Sequence, residues 1–451
     1  MNYRDKKIVV VGAGVSGLAI CRLLAERLAT VTLSDHQPAT AIRGLDTLDG
    51  LPVRFDFGGH TTALFKAADL IILSPGVPAT IPAVQAAAAQ GVAVIGEIEF
   101  AATEIDAPII GITGTNGKST TTVLLGEILK ACGKTTFVGG NLGEPLTNAI
   151  AIQNLEWLVV ELSSFQLETI DTLHPRYAML LNISPDHLDR YAGMTEYIAA
   201  KQRLFENMTE NDRVILNADD PEVSKVAEHL VTQKIQFSTR QSLSEGMSLQ
   251  TGSIVWRWQG KETLFPLDTL QLKGMHNIEN VMAAMIVPLC ENCPAEQIWQ
   301  TVSAFRGLPH RMELVRKLDG VEWFNDSKGT NIGSVVMSLA GLSAPVTLIA
   351  GGKDKGGDLQ ILTDTVRAKV THLILIGEAA SRMEQTLGDC SHTVRAESLE
   401  RAVELAQELT PAGGTVLLSP GCSSFDMFSS YIERGEVFSR LVNALKSKET
   451  V

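Results

Sequence analysis

Gly111-Ile112-Thr113-Gly114-Thr115-Asn116-Gly117-Lys118-Ser119-Thr120 closes a β-branched run that starts at Pro108. It opens a segment in which Leu124/Ile128 and Leu125/Leu129 recur at i, i+4. Strand, glycine loop, Lys-Ser and helix in that order form a phosphate-loop context. Glycines let backbone N–H groups crowd around a polyphosphate, and the helix N-terminus adds free donors and partial positive charge. Lys118 has the reach for terminal phosphates, and the Ser119 hydroxyl suits Mg²⁺. Gly114, Thr115, Asn116, Gly117, Lys118, Ser119 and Thr120 are therefore the candidate nucleotide cradle. The loop is a variant: Ile112 stands where the first glycine usually lies, and glycines fall at 111 and 114. Taken alone, it leaves kinase, ATPase and ligase chemistry open.

Outward from this loop, short β-branched runs alternate with helical segments, the pattern that builds parallel sheets. Strands are expected at Lys7–Val11, Val31–Ser34, Leu70–Ser74 and Val92–Gly96, with a helix at Gly17–Leu28. The middle of the chain adds Pro108–Thr113, Trp157–Glu161, Ala178–Ile183 and Arg213–Asn217. Ile254–Trp258 and Thr263–Pro266 flank Gln259-Gly260 as a β-hairpin, a small antiparallel patch. Phe305–Arg311 reads as a linker, and strands follow at Val346–Ala350, Leu373–Gly377 and Thr415–Ser419.

A second glycine cluster, Gly12-Ala13-Gly14-Val15-Ser16-Gly17, matches G-x-G-x-x-G between strand and helix, and Asp35 ends the next strand. That pattern specifies a phosphate-bearing nucleotide at a helix N-terminus with a hydroxyl near an acid. NAD and a UDP-linked sugar satisfy it equally. Ser74-Pro75-Gly76 follows the strand at 70–74, where a parallel sheet exposes its crevice.

The chain's 451 residues correspond to about three domains. Its 45% hydrophobic content excludes a mainly disordered protein. Basic residues number 38 against 51 acidic, a net charge of −13, which argues against non-specific nucleic-acid binding. No apolar run is long enough to span a membrane, and glycines interrupt the one at Ile8–Val11, so neither a membrane segment nor a signal peptide is expected. Six scattered cysteines are too sparse for a disulfide framework, and a reducing cytoplasm is the expectation. The lone pair Cys290 and Cys293 lacks further ligands at zinc spacing and reads as core or helix-end cysteines.

The order of motifs resembles the Mur ligase superfamily over essentially the whole chain. It is carried by Gly114–Thr120, Gly139-Gly140-Asn141, Glu161-Leu162-Ser163-Ser164-Phe165-Gln166-Leu167-Glu168, Asp186-His187-Leu188-Asp189-Arg190 and Ala199-Ala200-Lys201. It continues through His276-Asn277, His310-Arg311, Asn325–Asn331 and Leu418–Asp426. The resemblance implies an α/β protein of three domains. These are a Rossmann-like UDP-binding domain at 1–97, a central P-loop ATPase-like domain at 98–307 and a Rossmann-like amino-acid-binding domain at 308–451. It also implies a ligase that joins D-glutamate to UDP-N-acetylmuramoyl-L-alanine in cytoplasmic peptidoglycan synthesis. ATP would phosphorylate the acceptor carboxylate, and the amine would attack the acyl phosphate, releasing ADP and phosphate. A relative that adds a diamino acid carries Asp-Asn-Pro-Arg, absent here, and folate polyglutamate synthetases read Gly-Lys-Gly-Ser where this chain has Gly117-Lys118-Ser119-Thr120. A monomer acting on small molecules is expected, with no nucleic-acid or membrane partner.

By the same resemblance, Lys118, Glu161, His187 and Lys201 form the catalytic set. Ser119, Glu161, His187 and Lys201 would serve a pair of Mg²⁺ ions, with Lys201 carbamylated by CO₂. Asn280, His310, Arg311, Asp326 and Lys328 would contact ATP. Ser16, Asp35 and Gly76 would line the uracil–diphosphate pocket, with His36 and Gln37 departing from the family's usual polar side chains there. Asn141, Ser163, Gln166 and His187 would meet the muramoyl-alanine part. Thr330, Lys355, Ser424 and Tyr431 would take D-glutamate. The residues alone leave open which of Lys353 and Lys355 binds; the resemblance favours Lys355. Residue by residue, blander readings compete: a solvated strand-end Glu161, a surface Lys201, an ion-paired Arg311. For the whole chain, the competing readings are an NAD-linked dehydrogenase and a non-catalytic binding module.

Overall fold

A computed structural model describes residues 3–187, 190–272 and 274–447. Leu188 and Asp189 of the Asp186–Arg190 motif lie outside the described residues. The described strands form three sheets of five, nine and six strands, the expected α/β class. The chain divides into two compact units. The first comprises Met1–Asn182, Tyr197–Phe265 and Val281–Val302, and the second Ile183–Glu196, Pro266–Asn280 and Ser303–Val451.

In the first unit, the five-stranded sheet runs Val53–Phe57, Thr30–Asp35, Lys7–Val11, Leu70–Leu73, Ala93–Gly96, all parallel. The chain builds one flank, returns, and builds the other. The strand order therefore reverses beside Lys7–Val11, the position where open α/β sheets place ligands. Both glycine turns, 12–17 and 74–76, leave strands at that point. The helix Val15–Glu26 starts straight out of the first turn. A Cβ at Gly17 would run into the Gly12 carbonyl oxygen, so only glycine allows this close helix–strand approach.

The nine-stranded sheet of the same unit runs Lys261–Pro266, Ser253–Trp258, Gly246–Gln250, Gln233–Ser238, Arg213–Asn217, Pro175–Leu180, Ile109–Thr113, Trp157–Glu161, Thr136–Gly140. Its centre is a continuous apolar run: Ile109–Thr113 and Trp157–Glu161 are buried at every position, as parallel strands covered on both faces require. The hairpin at Gln259-Gly260 has φ of 50° and 73°, the paired positive values of a primed turn. The antiparallel strands do not stand apart. Gly246–Gln250 pairs parallel with Gln233–Ser238 and antiparallel with Ser253–Trp258, so the patch prolongs the main sheet.

In the second unit, the sheet runs Glu313–Leu318, Val321–Asn325, Thr415–Leu418, Val346–Gly351, Val370–Ile376, His392–Arg395. Only Glu313–Leu318 is antiparallel to its neighbour. Three adjacent parallel strands thus end side by side at Asn325, Leu418 and Gly351. Their following loops, 326–331, 419–424 and 352–357, emerge at one edge of the sheet. Packing on its two faces buries Leu348, Leu373 and Met383 on one side, and Trp323, Ile349 and Phe438 on the other.

Gly17→Ala is expected to destabilise the first unit by about 3 kcal/mol, the upper range for forcing atoms into a filled site. Urea denaturation followed by circular dichroism checks this, and an unchanged midpoint would contradict the packing account.

Candidate functional site

The register Ile112↔Glu161 sets the phosphate loop beside a carboxylate. Strand Ile109–Thr113 ends at Gly114, whose φ of 151° turns the loop, and Gly117 at φ 84° caps the helix Lys118–Ala131. Asn182 clasps the loop from behind. Its Oδ1 accepts the Asn116 N–H at 2.8 Å, its Nδ2 donates to the Asn116 carbonyl at 3.0 Å, and its own carbonyl accepts the Thr115 N–H at 2.9 Å. Asn182 was not singled out from sequence, because a lone asparagine after a strand carries no periodic or motif signal.

Lys118 Nζ donates to the carbonyls of Gly114 and Thr115, both at 2.8 Å. Lys201 Nζ donates to the same Gly114 oxygen at 2.9 Å and lies 4.6 Å from the Tyr197 ring centre. Tyr197 Oη is in turn 3.2 Å from Thr115 Oγ1. Lys201 is 2% exposed, so the surface-lysine reading is excluded. Two cationic side chains thus converge on one backbone oxygen at the base of the loop. Glu161 is likewise 2% exposed, against the solvated-acid reading. Its Oε1 accepts from Asn141 Nδ2 at 2.8 Å, while its buried Oε2 has no hydrogen-bond partner. A buried carboxylate oxygen left without a donor is costly unless a cation occupies it. Among the described residues no group of three or more His, Cys, Asp and Glu side chains forms a preformed metal cage. One carboxylate plus the buried Ser119 hydroxyl fits Mg²⁺, which is commonly held by one or two carboxylates together with phosphate oxygens and water.

Ser163 and Gln166 close on each other. Ser163 caps the helix Ser164–Leu167, and its N–H and Oγ both donate to Gln166 Oε1 at 3.0 Å. Gln166 Nε2 stays buried without a partner, a donor left over for another group. In the five-stranded sheet, Asp35 Oδ2 accepts the Ala13 N–H of the glycine turn at 2.7 Å and Oδ1 accepts the Gln37 N–H at 2.9 Å. Ser16 lies in the first turn of the helix Val15–Glu26, and Gly76 turns at φ 85°.

In the second unit, His187, Thr330 and Lys355 line one cavity of about 120 Å³. Lys353 does not line it; its backbone bridges to Ser423 instead. His187 adopts φ 56°, its N–H donating to Asp186 Oδ1 at 3.0 Å, and Asp186 Oδ2 accepts from Asn331 Nδ2 at 3.0 Å. Ser424 and Tyr431 lie outside this lining. Lys328 Nζ sits 3.9 Å from the Tyr431 ring centre, and the Lys328 N–H donates to the His310 carbonyl at 3.0 Å. Asp326 accepts from Ser338 and Ser419, both at 2.7 Å. Burial pushes its carboxyl up to about 6, against the pull of these hydroxyls and of Arg311. Asn280 is buried on the helix Met275–Cys290, its Nδ2 3.5 Å from Asn277 Oδ1. A further residue escaped sequence reading. Arg434, fully buried, donates to the Ser327 Oγ and carbonyl and to the carbonyls of Cys422 and Ser423, tying two strand-end loops together. Desolvation pushes it down to about 10.

The chain matches family models for a Mur ligase MurD-like N-terminal domain over residues 6–96, a Mur ligase middle domain over 112–288, and a Mur ligase glutamate ligase domain over 310–422. It is 57% identical over 445 residues to a protein of Syntrophotalea carbinolica named UDP-N-acetylmuramoylalanine–D-glutamate ligase, with 99% of each chain covered. The chain belongs to the Mur ligase family.

Another protein of the same name, from Geotalea uraniireducens, is 51% identical over 447 residues, again covering 99% of each chain. Among solved Mur ligase structures, the fold is similar to UDP-N-acetylmuramate-alanine ligase from Thermotoga maritima, with a TM-score of 0.60 at 18% identity. That match covers 98% of this chain and 100% of the other. A pseudomurein peptide ligase of type C from Methanothermus fervidus gives 0.64 at 19%, with the same coverage.

Asn182→Ala removes both side-chain hydrogen bonds that hold the loop. It is expected to raise the Kd for MgATP about tenfold, the worth of one to two such bonds. Titration calorimetry measures this, and an unchanged Kd would contradict the clasp.

Proposed function

We propose that this Mur ligase joins the amine of D-glutamate to the carboxyl of UDP-N-acetylmuramoyl-L-alanine, consuming ATP, as a cytoplasmic monomer in peptidoglycan synthesis. The observation that carries the reading is 57% identity across 99% of a relative named for this ligation. The chemistry suits the residues. A carboxylate is a poor electrophile, and transfer of the ATP γ-phosphoryl group onto its oxygen creates a leaving group. The amine then attacks the carbonyl carbon, and phosphate departs. Both steps concentrate negative charge, which fixed cations and donors stabilise.

In this reading the UDP-binding part spans 1–97, the ATP-binding part 98–307 and the amino-acid-binding part 308–451. Ser16, Asp35 and Gly76 hold the uridine diphosphate end. The phosphate loop cradles ATP through Gly114–Thr120, with Lys118 on the phosphates. Glu161, Ser119 and His187 hold Mg²⁺, which when bound supplies charge neutralisation on the phosphoryl oxygens. Asn141, Ser163 and Gln166 orient the muramoyl-alanine part, a role supported by the unpartnered Gln166 Nε2. Asn280, His310, Arg311, Asp326 and Lys328 contact ATP, and Thr330, Lys355, Ser424 and Tyr431 take D-glutamate. The cavity lining supports Lys355 over Lys353 for that task.

Lys201 reacts with CO₂ to give a carbamate. What supports this is its burial and its place on the Gly114 oxygen that Lys118 also binds. A bare ammonium there adds a second positive charge beside Lys118, whereas a carbamate offers anionic oxygens to a cation.

Phosphate release is expected only when UDP-N-acetylmuramoyl-L-alanine, ATP and D-glutamate are all present. Release that ignores D-glutamate, or nicotinamide turnover in its place, would overturn the reading. Lys201→Ala is expected to lose most activity and to regain part of it with an added short-chain carboxylic acid. Full activity of that variant without additive would refute the carbamate.

A further inference from the structure

The loop 352–357 places Asp354 directly before Lys355, and both side chains belong to residues that line the cavity with Thr330. Among the described residues Lys355 makes no hydrogen bond or ion pair, so its ammonium is uncommitted. Asp354 is committed elsewhere. Arg382, on the helix Ala380–Leu387, donates from Nη2 to Asp354 Oδ1 at 2.9 Å and brings Nε within 2.6 Å of Oδ2. The same Nη2 also donates to the Gly357 carbonyl at 2.8 Å. One guanidinium therefore grips the loop on both sides of Lys355, through a side chain before it and a carbonyl after it. The Gly356 N–H closes the turn on Asp354 Oδ1 at 2.8 Å.

We propose that Arg382 is a positioning residue for recognition of the incoming dicarboxylate amino acid, acting by neutralising Asp354 and keeping Lys355 available. The inference rests on the ligase reading above and deepens it. A carboxylate beside a lysine has two courses when its own cation is removed. It pairs with that lysine, or it repels an anionic ligand approaching the lysine. Either course weakens capture of a substrate that carries two carboxylates and leaves the other substrates untouched. The fork geometry of arginine is what permits simultaneous contact with a carboxylate and a carbonyl.

Steady-state kinetics on the full-length protein test this. Arg382 is partly exposed, its side chain 40% accessible, so Arg382→Gln is expected to fold, and unchanged KM values for ATP and the UDP-linked substrate serve as its control. Arg382→Gln is expected to raise KM for D-glutamate about tenfold with kcat within about twofold, the worth of a charged hydrogen bond. Asp354→Asn alone is expected to shift it little. The double variant Arg382→Gln/Asp354→Asn is expected to recover most of the loss, because the offending charge is gone. A merely structural arginine would give no such rescue. A double variant no better than Arg382→Gln, or an equal rise in all three KM values, would overturn the proposal. Wild-type protein with no D-glutamate-dependent phosphate release would overturn the ligase reading, and this assignment with it.

Discussion

Two nitrogen atoms, Lys118 Nζ and Lys201 Nζ, share one acceptor, the carbonyl oxygen of Gly114. Gly114 adopts φ 151°, where a side chain would be strained and would press on Leu181 and Asn182. The Lys118 ammonium at the base of a loop built from N–H donors favours polyanions, and Lys201, once carbamylated as proposed, turns anionic oxygens toward the accompanying cation. The buried Glu161 next to it answers with the opposite need, an oxygen without a donor. A polyphosphate with its divalent cation satisfies both demands together. The proposed phosphoryl transfer follows from this pairing of unmet charges more than from any single residue.

The second unit shows the same pattern of stability given up for a charged site. Asp326 is buried against Ser338 and Ser419 at the end of a strand, where its ionised form is disfavoured. Arg434 is buried among backbone carbonyls. Neither burial helps a folded domain by itself, since apolar residues of similar volume are often at least as stabilising. Asp326 opens one of the loops that leave three adjacent parallel strands and Arg434 bonds to two of them, at the edge where α/β sheets collect ligands. Their effect is to hold those loops in fixed positions, which exposed, unbonded loops do not achieve.

Much of this fold was legible because buried parallel strands announce themselves. Lys7–Val11, Trp157–Glu161 and Arg213–Asn217 were read with the boundaries found, each a compact β-branched run. Strands without that signature were not seen: Val53–Phe57 alternates with charge, and Thr136–Gly140 ends in two glycines. Pro175–Leu180 was displaced to 178–183, because proline reads as a breaker although it is tolerated at a strand's first residue. The hairpin Glu313–Leu318 and Val321–Asn325 carries a lysine, an arginine and two glutamates and gave no strand signal. In the candidate site, the glycine loop and Lys118 were legible from local order. The burial of Lys201 on a weakly amphipathic helix was not, nor were Asn182, Arg434 and Arg382. Each of these acts across a long sequence separation, through contacts that only the folded chain creates.

The claim that the molecule activates a carboxylate by phosphoryl transfer is tested most directly by isotope transfer. UDP-N-acetylmuramoyl-L-alanine labelled with ¹⁸O in its free carboxylate would be turned over with ATP and D-glutamate, and the released phosphate examined by mass spectrometry. The account predicts that each phosphate carries one labelled oxygen, inherited from the carboxylate as the acyl phosphate breaks. Phosphate that is formed during amide synthesis yet contains no label would contradict it.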